Sequence, residues 1–277
     1  MLGAMEWDGA SYDRVSSSRS PSPHAHPPDW DGATYDRISS PQARWGKAVI
    51  ERLDLSGDET ILDAGCGTGR VTEELLAKLP YGRVVALDAS PSMLAEAEAR
   101  LAPAVAAGRV SMLNADLLDL SPVLLGDTAP VDGVLSTATF HWVTDHNRLF
   151  ANIRSVLRPG GQLVAQCGGS GNIASVIEAV RSLGVDRAGT WLYATADDTV
   201  ERLERAGFDV NGVWCHPELA SFSDGNALVE FLSTVCLREH LGTLAPAERR
   251  PFTEKVAAAM PVPVIDYVRL NIVARAR

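Results

Sequence analysis

The chain has 277 residues, 46% of them apolar, and a formal net charge of −10 from 25 basic and 35 acidic side chains. That balance argues against a broad nucleic-acid surface, whose affinity comes from clustered Lys and Arg, while leaving room for a small basic pocket. No apolar run reaches the ~18 residues of a transmembrane helix, and no apolar stretch precedes the Ser/Pro-rich start, so neither a membrane span nor a secretory signal is expected.

The four cysteines, Cys66, Cys167, Cys215 and Cys236, form no CxxC pair and read as reduced thiols in a cytoplasmic protein. Residues 1–29 read as a disordered arm, because "SSSRSPSPHAHPP" has no apolar periodicity and cannot offset its ordering entropy. His24 and His26 are solvated linker residues on this reading. The arm carries "WDGASYDRVSS" (Trp7 to Ser17), which recurs almost unchanged as "WDGATYDRISS" (Trp30 to Ser40). The second copy leads straight into a helix begun by Ser40-Pro41, with Trp45, Val49, Ile50 and Leu53 on one stripe. It is therefore the copy expected to work, and the first is expected to be a redundant duplicate.

From there strand and helix signals alternate. "ETILDAG", "GRVVALD", "GRVSMLNAD", "VDGVLSTATF" and "GQLVAQCG" read as strands. "GRVTEELLAKL", "SPSMLAEAEARL" and "DHNRLFANIRSVL" read as helices, the second with Ser90 as cap and Pro91 at its first position. Such alternation predicts an α/β fold with a parallel sheet covered on both faces. After Gly168 the signal loosens, with helical insertions expected at about 171–206 and 223–260 and closing strands at "AGFDVNGVWCH" and "VIDYVRLNIVARA". Residues 30–277 are taken as one domain whose insertions cover the ligand crevice.

"LDAGCGTGR" (Leu62 to Arg70) joins the first strand to its helix. Gly65, Gly67 and Gly69 permit a tight turn and close ligand approach, and the helix N-terminus favours an anionic group. Alone, such a turn is also explained by tight strand–helix packing. Asp88 ends the second strand, 23 residues after Gly65, where an acid can take both hydroxyls of a ribose. Asp116, in "NAD" at the end of the third strand, can accept from an adenine amino group. Three strand ends bearing these groups in this order point to an adenosine compound. The spacing G-x-G-x-G, with Arg70 where a third glycine would stand, departs from the dinucleotide fingerprint, and no G-K-[ST] follows to make a P-loop.

"ILDAGCGTG", "VVALDASPSML", "NADLLDL" and "LRPGGQLV" together resemble class I S-adenosylmethionine-dependent methyltransferases, over roughly residues 30–168. The resemblance implies a Rossmann-like seven-stranded, mostly parallel sheet with an antiparallel last strand. It also implies S-adenosylmethionine as cofactor, with Gly65, Cys66 and Gly67 near its methionine part, Asp88 on the ribose, Ala89 and Met93 flanking the adenine, Asp116 and Leu117 at the adenine edge, and Thr137 meeting the methionine end. Tyr35 is the candidate lid and Arg44 a partner for the cofactor carboxylate.

"STATFHWVTD" (Ser136 to Asp145) brings Phe140, His141 and Trp142 to the crevice mouth, where an aromatic ring suits a sulfonium. "FHW" and "WDGATYDR" are similar to the trans-aconitate methyltransferase branch, which esterifies small acids and typically has Gln where His141 stands. A further similarity, to carboxyl methyltransferases of hormone-like acids, pairs Gln42 with Trp142 on the substrate carboxylate. A carboxylate acceptor needs no base; a hydroxyl acceptor would, and His141 or His146 is the nearest candidate. No metal-ligand set is evident.

The expected function is methyl transfer to a small molecule, giving a methyl ester. O- or C-methylation of a natural product, and a protein that binds the cofactor without transferring, stay open. Neither a nucleic-acid nor a membrane partner is expected, and the chain is read as a monomer or homodimer.

Overall fold

The structure, a computed structural model, describes residue 32 and residues 40–185, 189–222 and 224–277; the side chains of 40–44 fall outside the description. Both copies of the repeated phrase, Tyr35 among them, lie essentially outside the described residues, as do the side chains of Gln42 and Arg44.

After helix α1 (Ser40–Ile50) come β1 (Thr60–Ala64), α2 (Arg70–Lys78), β2 (Arg83–Asp88), α3 (Pro91–Ala106) and β3 (Val110–Asn114). A short α4 (Pro122–Leu125) precedes β4 (Val131–Thr137), α5 (His146–Val156) and β5 (Leu157–Gly168). The caps follow the sequence. Ser90 Oγ accepts from Met93 N at 3.2 Å with Pro91 opening α3, and Asp145 caps α5 by accepting from Arg148 N at 3.0 Å. "RPGG" belongs to β5 rather than to a helix end, because Leu157 already pairs with Val131.

The sheet runs β3-β2-β1-β4-β5-β7-β6, where β6 is Phe208–Ser221 and β7 is Val264–Ala276. β7 is antiparallel to both β5 and β6, which it separates, while β1 to β5 pair in parallel. Strand order reverses between β1 and β4, and their carboxyl ends therefore open a crevice.

Apolar strands such as "TILDA" are buried on both faces. On one face Leu149, Phe150 and Ile153 of α5 and Leu203 of α7 (Ala196–Arg205) pack on the sheet. On the other, Val49 and Ile50, Leu75 and Leu76, and Leu94 and Leu101 do so from α1, α2 and α3. A third apolar cluster builds the cap over the crevice. It joins Trp45, α6 (Ala174–Ser182), α8 (Gly225–Phe231) and α10 (Pro246–Ala259) to Ile265 and Tyr267 of β7. Between α8 and α9 (Arg238–Gly242) one π turn, Leu232–Cys236, is closed by Leu237 N donating to Leu232 O at 2.8 Å. No described helix is long and apolar enough to cross a membrane.

Candidate active site

The turn after β1 is tied down by backbone. Gly65 N and Cys66 N both donate to Leu87 O, at 2.8 and 2.9 Å. Gly65 has φ +87°, and a Cβ there would lie 2.1 Å from Thr139 Oγ1, so the position admits only glycine. Gly67, at φ +55°, has nothing within 4 Å of where a Cβ would project, and it lines the crevice. Its N–H donates to Asp88 Oδ2 at 2.9 Å, while Ser90 N donates to Oδ1 at 2.9 Å. Two backbone donors thus aim the Asp88 carboxylate at the crevice it lines. Beyond β3, Asp116 caps a 3-10 turn, Leu117–Asp119, by accepting from Leu118 N at 2.8 Å. Ala89, Met93 and Leu117 give this end apolar walls.

A single cavity of about 410 Å³ runs from Asp116 past the glycine turn to the underside of the cap. After β4, Ala138 takes φ +56°, an uncommon conformation for a non-glycine residue, and turns the chain so that Thr139 meets Gly65. The next 3-10 turn, Phe140–Trp142, delivers His141 and Trp142 to the cavity wall. Trp191 and Tyr193, from the segment between α6 and α7, stand beside them.

Two arginines line the cap end, Arg238 from α9 and Arg269 from β7. Arg269 is 2% exposed. Its guanidinium lies 4.0 Å from the ring centroid of Trp45, and Nε donates to Gln166 Oε1 at 3.4 Å. Gln166 donates in turn to Asn271 Oδ1 at 2.8 Å, which also accepts from Arg52 Nη1 at 2.7 Å. A polar relay across β5 and β7 therefore positions a buried cation. The carboxylates lining the cavity among the described residues, Asp88 and Asp116, are both at the opposite end.

The geometry is that of a crevice at a topological switch point, and known proteins agree with it. Residues 61–161 match the family described as "Methyltransferase domain". An uncharacterized methyltransferase of Schizosaccharomyces pombe is 33% identical over 60% of this chain, a match that spans 65% of that relative. A trans-aconitate 2-methyltransferase of an Azoarcus species is 28% identical over 79% of this chain and 86% of its own. Among solved structures, a putative sarcosine dimethylglycine methyltransferase from Galdieria sulphuraria superposes with a TM-score of 0.53 at 16% identity, covering 87% of each chain. The chain is a class I S-adenosylmethionine-dependent methyltransferase. It is similar to trans-aconitate 2-methyltransferases, and its cofactor is S-adenosylmethionine. The residues present fit that cofactor: open space beside Gly67, an aimed carboxylate at Asp88 and apolar walls beside Asp116.

Of the residues singled out in the methyltransferase sequence, Gly65, Gly67, Asp88, Ala89, Met93, Asp116, Leu117, Thr137, His141 and Trp142 line the one cavity. Cys66 does not. Its side chain packs into the core behind the turn, and burial beside Asp63 and Asp88 pushes its thiol well above the usual range.

Neither histidine is arranged as a base. Gly168 N donates to His141 Nδ1 at 3.3 Å, which leaves the ring hydrogen on Nε2. Burial, helped by the charge of Arg269, pushes the His141 pKa down to about 3, so it stands at the wall as a neutral donor. His146 Nε2 donates to Phe140 O at 2.9 Å and its ring packs on Phe150, so it fixes the turn from behind. Burial also raises the Tyr193 phenol far above its ordinary value, removing it as a base.

Sequence reading missed Trp191, Tyr193, Arg238 and Arg269. The one available signal was "DYVRLN", where Tyr267, Arg269 and Asn271 alternate with apolar residues in a closing strand.

Proposed function

We propose that the methyltransferase esterifies a small carboxylic acid. The observation that carries this reading is the buried guanidinium of Arg269 at the cap end of the cavity, where the nearby histidine is a neutral donor rather than a base. An anionic acceptor is attracted there, whereas an amine that must approach as a cation is repelled. A hydroxyl acceptor would need its proton removed, and none of His141, His146 and Tyr193 can take it.

On this reading Gly65 and Gly67 approach the methionine part of the cofactor, with Thr137 meeting it through its backbone. Asp88 holds the ribose, Ala89 and Met93 flank the adenine, and Asp116 and Leu117 meet its edge. Bound there, S-adenosylmethionine would supply an electrophilic methyl group carried on its sulfonium. A carboxylate acceptor is already ionised at neutral pH, so the chain's residues would have no proton to remove. The chain's contribution is alignment, exclusion of water beneath the cap, and a Trp142 ring near the cationic centre. Alignment alone can contribute ~7–11 kcal/mol. The names of the bacterial relatives, trans-aconitate 2-methyltransferases, support a carboxylate acceptor.

The test is incubation with methyl-labelled S-adenosylmethionine and a panel of small acids, reading label in a base-labile ester. Label in a base-stable ether or C-methyl product would move the assignment to O- or C-methylation of a natural product. Tight cofactor binding with no transfer to any acceptor would leave a non-transferring binder.

A further inference from the structure

Four rings close on one another at the acceptor end. His141 and Trp142 have centroids 5.2 Å apart, and Trp142 meets Trp191 edge-on at 5.9 Å. Trp191 stacks on Tyr193 at 5.7 Å and 17°, and Tyr193 stacks back on His141 at 5.8 Å and 28°. All four line the cavity, and the charge of Arg269 reaches both His141 and Tyr193. The acceptor space thus combines a continuous aromatic wall with two guanidinium groups, Arg238 and the buried Arg269, the latter held by Gln166 and Trp45.

That combination discriminates among acids. Aromatic faces carry negative potential and favour the edges or offset faces of other rings. They offer nothing to a second or third carboxylate, which would lose its hydration against them. A saturated body of the same size gains burial but not the ring–ring term. We infer that the acceptor is an aromatic carboxylic acid, its ring stacked on the Trp142–Trp191–Tyr193 wall and its carboxylate paired with Arg269. The inference rests on the carboxylate reading above and narrows it. It departs from what the names of the bacterial relatives imply, and His141 contributes one of the wall's four rings.

The experiment uses the full chain, methyl-labelled S-adenosylmethionine and three acids: 3-phenylpropanoate, 3-cyclohexylpropanoate and trans-aconitate. The first two differ only in ring aromaticity. The expected result is a kcat/KM roughly tenfold higher for the phenyl acid than for its saturated counterpart, expressed mainly in KM, with trans-aconitate poorer than either. Trp191→Leu keeps apolar bulk and removes one ring. It should bring the phenyl-to-cyclohexyl ratio close to one with cofactor affinity retained, and if the variant loses the cofactor the wild-type ratio alone decides. Equal use of the two ring acids, a ratio that survives Trp191→Leu, or trans-aconitate as the best substrate would each overturn the inference while leaving ester formation intact. Cofactor binding with no ester from any of the three acids would overturn the carboxylate reading as well.

Discussion

The backbone N–H of Gly168, at the end of β5, donates to Nδ1 of His141 at 3.3 Å. This bond sets the tautomer, and with it what the side chain can do: Nε2 carries hydrogen and donates. His141→Gln keeps a donor and is expected to retain most ester-forming activity. His141→Phe keeps the bulk without the donor and should lose about 10–100-fold in kcat/KM, the scale of one hydrogen bond to a charged group. Steady-state kinetics on the esterified acid checks both. A collapse of turnover in His141→Gln with cofactor affinity unchanged would mean that the imidazole does chemistry.

The same residue should leave a mark on acid stability. Its pKa falls from 6.5 to about 3 on folding, so the unfolded chain takes up a proton that the native site refuses. Stability is then lost as pH drops below about 6.5 toward 3, at up to ~1.4 kcal/mol per pH unit. Urea unfolding between pH 4 and 7 should show a shallower acid slope in His141→Gln than in the wild type. Identical slopes would show that the ring is not held neutral.

Gly65 and Gly67 make separable predictions. At Gly65 an added methyl collides with Thr139 and also faces an unfavourable φ, whereas at Gly67 only φ opposes it. Gly65→Ala should cost about 3 kcal/mol or more of stability and Gly67→Ala about 1–2, the cost of a left-handed residue. Gly67→Ala should still lose cofactor affinity, because its methyl projects into the open crevice where the proposed function seats the cofactor. Thermal unfolding with and without S-adenosylhomocysteine separates fold from binding; equal losses of stability in the two variants would contradict the geometry.

How much of this site could be read in the sequence depends on how far apart its parts lie in the chain. The glycine turn, Asp88, Asp116 and the caps at Ser90 and Asp145 are local features: each sits at a strand end or a helix start, where periodicity breaks and a turn residue marks the place. Arg269 becomes part of the site only because β7 inserts antiparallel between β5 and β6 and sets Arg269 opposite Gly168. No local pattern announces that pairing. Trp191 and Tyr193 lie in a stretch without helix or strand periodicity, and their role comes from stacking against a turn some fifty residues earlier. The role of His141 was legible as a position but not as a chemistry, because the hydrogen bond that decides its tautomer comes from a residue 27 positions away. Sequence reading paired Gln42 with Trp142 on the acceptor carboxylate; the Gln42 side chain lies outside the described residues, and the buried Arg269 comes from the far end of the chain.

Asp63, one residue before the end of β1, supplies the last prediction. It is fully buried, accepts from Thr72 Oγ1 at 2.6 Å through Oδ2, and has no hydrogen-bond partner on Oδ1 among the described residues. Burial, with some repulsion from Asp88, raises its pKa from 3.8 to about 7. Folding therefore favours the protonated form, and the sign is opposite to that of a paired carboxylate. Between about pH 4 and 7 the unfolded chain has released a proton that the native state keeps, so this group's contribution to stability falls as pH rises and levels off above about 7. Asp63→Asn retains an oxygen to accept from Thr72 and cannot ionise. It should be more stable than the wild type at pH 8, on the order of a few kcal/mol, with the two converging toward pH 4. Chemical denaturation at those two pH values reads the difference directly. A variant less stable than the wild type at pH 8 would show that the fold stabilises the ionised carboxylate instead of penalising it, and the elevated pKa would be withdrawn.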